Sequence, residues 1–126
     1  MIIDHMGMGV RDIATAREFF VKALKPLGIA IVMEVPNGIG MGRDGMPAFW
    51  LSEVSEARGQ LHVAFAAENR EQVRQFYTAA IDAGATDNGP PGIREHYHPD
   101  YYAAFVLGPD GHNIEAVCHR PPSEAE

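Results

Sequence analysis

Two histidines and one glutamate are the residues of this chain whose types and positions best suit chemistry. His5 and His62 lie at or near the start of short β-like runs, and Glu115 lies within another run near the end of the chain. Two imidazoles and one carboxylate suit a divalent ion such as iron(II), manganese or zinc. Three protein ligands leave positions on the ion free for substrate and water, as catalysis by a metal requires. We therefore predict a metal site at His5, His62 and Glu115.

Each candidate ligand has a small or modest neighbour two positions further on, and in a strand that neighbour lies on the same face. These neighbours, which leave open space beside the ligands, are Gly7, Ala64 and Val117. The alternative is that His5 and His62 are ordinary half-buried histidines and Glu115 is a surface acid. The metal interpretation is favoured because the two histidines occupy the same position of an internal repeat.

That repeat appears when His5 is placed over His62. The aligned pairs are Asp12 with Asn69, Arg17 with Arg74, Phe19 with Phe76, Phe20 with Tyr77 and Ala23 with Ala80. Asp12 and Asn69 are good helix N-caps, and Gln72 gives Asn69 a capping-box partner. Apolar residues then recur at three- and four-residue spacing in each copy, which predicts two amphipathic helices.

Short β-like runs flank each predicted helix. They cover residues 1–10, 29–35 and 47–53 in the first copy, and 61–66, 101–107 and 113–119 in the second. The predicted plan is strand, helix and several strands, written twice within one domain spanning 1–126. The first module covers about 1–58, the second about 59–120, and residues 121–126 form a tail.

Three glycine-rich segments punctuate this plan. Residues 108–111 predict a hairpin turn, and residues 88–92, with two prolines, predict a loop. The order of residue types at 40–45 matches the dinucleotide-binding fingerprint Gly-x-Gly-x-x-Gly. That fingerprint requires a helix to follow, whereas residues 40–45 are followed by a predicted strand, so we interpret them as a glycine-rich loop or hairpin.

A second concentration of titratable groups precedes the run at 101–107. His96 and His98 share a face if the chain is extended there, and either can act as a general base near neutral pH. The alternative is a polar loop beside the mouth of the cavity. We name His96, His98 and Tyr101 as candidate catalytic residues.

Composition excludes several classes of partner. The chain has 126 residues, with 17 acidic residues against 10 basic ones and a formal charge of −7. No basic stretch is present to follow a phosphate backbone, so we expect no nucleic-acid partner. The apolar runs are strand-sized and the N-terminus lacks the pattern of a signal peptide, so we expect no membrane association. The single cysteine excludes an internal disulfide framework and fits a cytoplasmic location.

Three segments carry a family resemblance. They are Asp4-His5-Met6-Gly7 with Val10 and Asp12, Leu61-His62-Val63-Ala64, and the run Gly-Pro-Asp-Gly-His-Asn-Ile-Glu at 108–115. Together they resemble the vicinal oxygen chelate superfamily, the group of glyoxalases, bleomycin-resistance proteins and extradiol dioxygenases. The resemblance implies an α+β fold of paired βαβββ modules that form a curved mixed sheet around a metal cavity, usually in a homodimer. By motif it also implies metal-ligand roles for His5, His62 and Glu115, with zinc, manganese, iron or nickel as the divalent ion.

One departure from the glyoxalase I pattern bears on the activity. That enzyme takes a fourth ligand, Glu or Gln, from the last strand of its first module. The matching run here, residues 48–52, has neither, and Glu53 comes later. The ligand set looks more like that of the dioxygenases or the fosfomycin-resistance thiol transferases, although Gly7 replaces the hydroxyl that the latter have beside the first ligand.

The resemblance therefore implies a metal-dependent enzyme that chelates a small oxygenated substrate, for isomerase/lyase, thiol-transfer or ring-cleavage chemistry. The alternative is a non-catalytic small-molecule binding protein of the bleomycin-resistance type, which sequesters a drug in the same cavity.

Overall fold

The computed structural model describes residues 3–56 and 59–122. The first two residues of the predicted first strand, residues 57 and 58 at the end of the predicted first module, and residues 123–126 of the predicted tail lie outside this part of the chain. In the described ranges, neither helix is long and apolar enough to cross a membrane.

Two units with the same order of elements follow one another. The first contains β1 (Met6–Val10), α1 (Ile13–Leu24), β2 (Ala30–Val35), β3 (Gly38–Arg43) and β4 (Met46–Glu53). The second contains β5 (His62–Ala66), α2 (Arg70–Asp82), β6 (Thr86–Ile93), β7 (Tyr102–Leu107) and β8 (Asn113–Cys118). Short 3-10 turns follow α1 at Lys25–Leu27 and join β7 to β8 at Pro109–Gly111.

Each unit forms a four-stranded mixed sheet. The strand orders are β1-β4-β3-β2 and β5-β8-β7-β6. In both sheets the first and last strands of the unit are parallel neighbours, and the other pairs are antiparallel. The predicted α+β fold with a repeated strand–helix–strands plan is therefore confirmed.

Helix capping explains why both helices begin where the repeat predicts. The side chain of Asp12 accepts a hydrogen bond from the backbone N–H of Thr15 at 3.1 Å. The side chain of Asn69 accepts one from the N–H of Gln72 at 2.8 Å. The amide oxygen of Gln72 in turn accepts from the N–H of Glu68 at 2.8 Å, one residue before the expected capping-box donor.

One continuous core joins the two units. Helices α1 and α2 pack against each other, and buried residues of both sheets belong to the same hydrophobic cluster. The ring of Phe49 contacts Phe20 in its own unit and Phe65 in the other, with both centroid separations at 5.2 Å. The sheet faces that carry His5 and His62 are turned away from this core, since the alternate residues Met8 and Val63 are the buried ones.

The prediction of a loop at residues 88–92 is wrong, because this segment lies within β6. That strand is at the edge of its sheet, and its pairing with β7 shifts register on both sides of Gly89. Prolines are tolerated at such an edge because their missing N–H leaves no gap in a central ladder. Residues 40–45 form a hairpin, as expected: β3 continues to Arg43, and Asp44 and Gly45 turn with φ of 54° and 74°.

Candidate functional site

His62 and Glu115 meet on the outer face of the second sheet. Strands β5 and β8 are parallel, and Glu115 lies opposite Ala64, which shares a face with His62. The Nε2 atom of His62 lies 2.7 Å from Oε1 of Glu115. The His62 side chain is 54% exposed and the Glu115 side chain only 1%, so a buried carboxylate meets an accessible imidazole.

Tyr101 holds the second oxygen of this carboxylate. Its hydroxyl donates a hydrogen bond to Oε2 of Glu115, so both carboxylate oxygens have a side-chain partner. Burial raises the pKa of the Tyr101 phenol well above its usual range, and the hydrogen bond to the anionic Glu115 raises it further. At neutral pH the tyrosine is therefore a fixed hydrogen-bond donor to Glu115.

His96 and His98 lie in the segment that leads into Tyr101. One aromatic ring lies between each of these histidines and Tyr101. The His96 ring is 4.1 Å from the Tyr97 ring, which is 4.9 Å from Tyr101. His98 is 5.9 Å from the His119 ring, which is 5.1 Å from Tyr101. The Nδ1 atom of His98 accepts a hydrogen bond from the N–H of Asp100 at 3.0 Å. Both histidines are exposed, and of the three candidate catalytic residues only Tyr101 contacts the His62–Glu115 pair directly.

Phe105 forms the wall beside the pair. It lies directly opposite Glu115 in the antiparallel β7–β8 ladder and hence on the same face. Its ring centroid is 6.1 Å from the His62 ring. On the same ring lies the guanidinium of Arg94, with Cζ 5.4 Å from the centroid. Sequence reasoning missed Arg94; the available signal is that it is the only Lys or Arg between Arg74 and Arg120.

His5, the third predicted ligand, does not join the His62–Glu115 pair in one metal-binding group of described residues. Its Nδ1 atom lies 2.8 Å from Oδ1 of Asp4, and both side chains are exposed. It lines a largely apolar cavity of about 460 Å³ together with Arg43, Met46 and Phe49. Within residues 3–56 and 59–122, no three His, Cys, Asp or Glu side chains lie together as a metal-binding group.

His112 is a residue whose role the sequence did not indicate. It is buried, its Nδ1 accepts a hydrogen bond from the N–H of Leu61 at 2.9 Å, and its Nε2 donates to the carbonyl of Gly9 at 3.1 Å. These bonds tie the end of β1 to the start of β5, the strand that carries His62. His112 therefore positions His62 through the backbone and has no free ring nitrogen for a ligand.

The donor set fits two positions of a divalent ion. An imidazole and a carboxylate within 2.7 Å of each other can share one metal, and Ala64 leaves the space beside them open. A carboxylate from β4 does not join them: Oε1 of Glu53 accepts the backbone N–H of Ile13 at 3.2 Å, at the start of α1. The pair therefore offers two of the ligands that such an ion would require.

Comparison with known proteins agrees with this fold. The model of the glyoxalase/bleomycin resistance protein/dioxygenase superfamily matches residues 2–116. A glyoxalase/bleomycin resistance protein from Albidiferax ferrireducens T118 is 26% identical, with a TM-score of 0.82 over 96% of this chain and 100% of that one. A possible glyoxalase from Bacillus cereus is 25% identical, with a TM-score of 0.65 over 94% of this chain and 99% of that one.

A family enzyme from Burkholderia phytofirmans PsJN is 21% identical, with a TM-score of 0.72 over 93% of this chain and 98% of that one, and shows the shared fold. No curated protein matches the chain. Because the family model spans almost the whole sequence, the chain belongs to the glyoxalase/bleomycin resistance protein/dioxygenase superfamily.

Proposed function

We propose that this protein is a metal-dependent enzyme that chelates a small oxygenated substrate at His62 and Glu115. The observation that carries the proposal is the contact of 2.7 Å between an exposed imidazole and a buried carboxylate whose other oxygen is already held by Tyr101. A carboxylate fixed in this way presents one oxygen, Oε1, to the open side. When bound, a divalent ion such as zinc, manganese, iron or nickel supplies Lewis acidity that stabilises an enediolate-like or alkoxide-like anion of the substrate.

The surrounding residues have separate tasks in this proposal. His62 and Glu115 hold the ion, Tyr101 fixes the orientation of Glu115, and the Phe105 ring excludes water from one side. His98 is the candidate that moves a proton, because Nε2 is the ring nitrogen left over when Nδ1 accepts from Asp100. The same chelate serves isomerase/lyase, thiol-transfer or ring-cleavage chemistry.

The third ligand, in our proposal, is His5 of a second copy in a homodimer. Two features support this. His5 and His62 lie on exposed faces that are turned away from the shared core. The small residues Gly7 and Ala64 leave open space beside them on those faces. Large apolar side chains are exposed nearby: Met46, which lines the His5 cavity, is 69% exposed, and Leu61, which precedes His62, is 42% exposed. A second copy would cover them.

A complementation experiment tests the metal site and the dimer together. The variants His5→Ala and His62→Ala are each expected to bind no metal in a dimer of identical chains. A mixed dimer, made by co-expressing the two variants with different tags, contains one intact site and is expected to hold one ion per dimer. Tandem affinity purification followed by elemental analysis gives this stoichiometry. Full metal content in His5→Ala alone would remove His5 from the site.

Thermal melts supply the second readout. Metal that binds only the folded protein stabilises it by about 2.7 kcal/mol at a hundredfold excess over the dissociation constant. A chelator should therefore lower the melting temperature of the parent protein and leave that of His62→Ala unchanged. Equal melting temperatures for the parent with and without chelator would contradict the metal proposal. Light scattering that gives a mass near 13.8 kDa would contradict the dimer.

The second candidate function is a non-catalytic small-molecule binding protein. The observation that favours it is the apolar cavity of about 460 Å³, whose lining includes Ala64 but neither His62 nor Glu115, and which needs no metal to take up an apolar compound. Purification without added metal separates the candidates. Protein free of metal, with melts insensitive to zinc, manganese, iron and nickel, would favour the binding protein over the enzyme.

A further inference from the structure

Arg94 is the charged residue on the wall of the His62–Glu115 site that the proposed function does not use. It directly follows β6, and its guanidinium lies over the Phe105 ring. The other neighbour of that ring is His62, at 6.1 Å. The Phe105 ring thus lies near both a permanent cation and one of the candidate metal ligands.

Two glycines make the position of this arginine possible. The Nη2 atom of Arg94 donates to the carbonyl of Pro90 at 2.8 Å. A Cβ atom on Gly89 would lie 3.1 Å from Nη2, and a Cβ on Gly92 would lie 3.1 Å from Nη1. Both distances are tighter than ordinary contacts, so side chains at 89 and 92 would crowd the guanidinium. The two glycines therefore leave room for the Arg94 guanidinium, and the hydrogen bond to Pro90 ties it to the edge strand.

What Arg94 lacks is an anionic partner. Four other arginines, Arg11, Arg17, Arg70 and Arg74, each meet a carboxylate, whereas Arg43 bonds to the backbone carbonyls of Leu27 and Ala66. Among the described residues, the hydrogen bond of the Arg94 guanidinium goes to the neutral carbonyl of Pro90. A guanidinium has five N–H donors and forms strong, paired hydrogen bonds with carboxylates and phosphates. A partly buried, fixed guanidinium with most donors unused is suited to an anion supplied by a ligand.

We propose that Arg94 anchors an oxyanion of the substrate, either a carboxylate or a phosphonate-type group. The substrate class is then a small anion whose charged end lies at Arg94, whose middle crosses the Phe105 ring, and whose adjacent oxygens reach His62 and Glu115. This extends the proposed function, because the chelating end rests on the metal site. The anionic end depends on Arg94 alone and can be tested without metal.

The test is binding of methylphosphonate and of acetate to chelator-treated protein, followed by NMR of uniformly ¹⁵N-labelled samples. In the parent, one or both anions are expected to shift the Arg94 signals in a saturable way, and the stronger binder identifies the type of group. Arg94→Gln should weaken binding by on the order of tenfold, as expected for one lost charge-assisted hydrogen-bonding partner. Arg94→Lys keeps the charge and should bind more tightly than Arg94→Gln.

Two controls make the result specific. Arg74 also lies over an aromatic ring, with Cζ 5.7 Å from the Tyr102 centroid, but its guanidinium already meets Glu71. Arg74→Gln should leave anion binding unchanged. His62→Ala should also leave it unchanged in chelator, even though it removes the proposed metal ligand, so failure of the metal site and failure of the anion site are distinguishable. Equal binding by the parent and Arg94→Gln, or a loss in His62→Ala with none in Arg94→Gln, would overturn the proposal.

Discussion

Replacing Tyr101 with phenylalanine isolates one hydrogen bond at the centre of the candidate site. The change removes the hydroxyl that donates to Oε2 of Glu115 and keeps the ring that packs between Tyr97 and His119. The carboxylate is left with His62 as its remaining side-chain partner, and its side chain is 1% exposed, so water cannot easily replace the phenol. The perturbation is therefore electrostatic rather than steric.

The magnitude follows from the charge of the acceptor. A hydrogen bond to a charged group contributes about 1.5–3 kcal/mol, and a buried acceptor left without a partner costs a similar amount. We expect Tyr101→Phe to lower the free energy of unfolding by about 2 kcal/mol at pH 7. The control Tyr97→Phe removes a hydroxyl from a side chain that is 62% exposed, and should change stability by less than about 0.5 kcal/mol.

The pH dependence gives this prediction a second, independent signature. The pKa of Tyr101 is raised, first by burial and then by the bond to Glu115. A phenol whose folded pKa exceeds its unfolded value of about 10 adds stability below pH 10, and this is lost as pH rises through the folded pKa. The stability gap between the parent and Tyr101→Phe should therefore narrow above pH 10.

Urea unfolding in chelator, at one fixed protein concentration, measures both effects. The parent, Tyr101→Phe and Tyr97→Phe are compared at pH 7 and at several values above pH 10. A Tyr101→Phe variant as stable as the parent at pH 7 would refute the argument that this hydroxyl satisfies Glu115. A gap that stays constant into the alkaline range would refute the assignment of the raised pKa to the same bond.

Three further changes test how the fold positions the site. Arg11 beside Asp110 holds the pKa of that carboxyl below its usual range, so the cost of Asp110→Asn should be largest near pH 7 and shrink as pH falls below about 4, measured by urea unfolding. Gly42→Ala places a Cβ 1.9 Å from the carbonyl oxygen of Met46 and should lower the free energy of unfolding by more than about 2 kcal/mol in denaturant titrations. Asn69→Ala removes the N-cap of α2 and should cost about 1 kcal/mol by the same measurement, with Asn69→Ser close to the parent.

The parts of this fold that could be predicted from the sequence are those set by neighbouring residues. An N-cap such as Asn69 acts within three residues of itself, and the alternation around His62 repeats every two residues. Aligning the two copies adds the repeated order of strand, helix and strands; the parallel pairing of β5 with β8, which brings His62 and Glu115 to one face, is seen only in the structure. These signals were sufficient for both helices and for six of the eight strands in the described ranges.

What could not be predicted depends on contacts that are distant in sequence. The edge strand β6 contains prolines and glycines that signal a loop locally, and only its pairing with β7, which includes Gly89 opposite Phe105, makes the segment a strand. Arg94 acquires its place through the same pairing. The absence of His5 from the His62–Glu115 pair has a related cause. The repeat predicts the same elements in both units, but it does not predict how the two sheets lie relative to each other.

If the ligands do come from two copies, metal binding and dimer formation must be coupled. His62, Glu115 and Tyr101 form a fixed half of the site, whereas His5 is 61% exposed and contacts an Asp4 that is 92% exposed. An ion held by both halves stabilises the dimer by the same free energy by which the dimer strengthens its binding of the ion.

Apparent metal affinity should therefore rise with protein concentration around the dimer dissociation constant, and chelator should shift the dimer towards monomer in sedimentation experiments. In the His5→Ala variant, metal affinity should no longer depend on protein concentration, and chelator should no longer shift the dimer towards monomer. The reason is that, in this proposal, two copies of the variant can still associate but no ion links them. Metal affinity that is independent of protein concentration across this range would place the whole site within one chain.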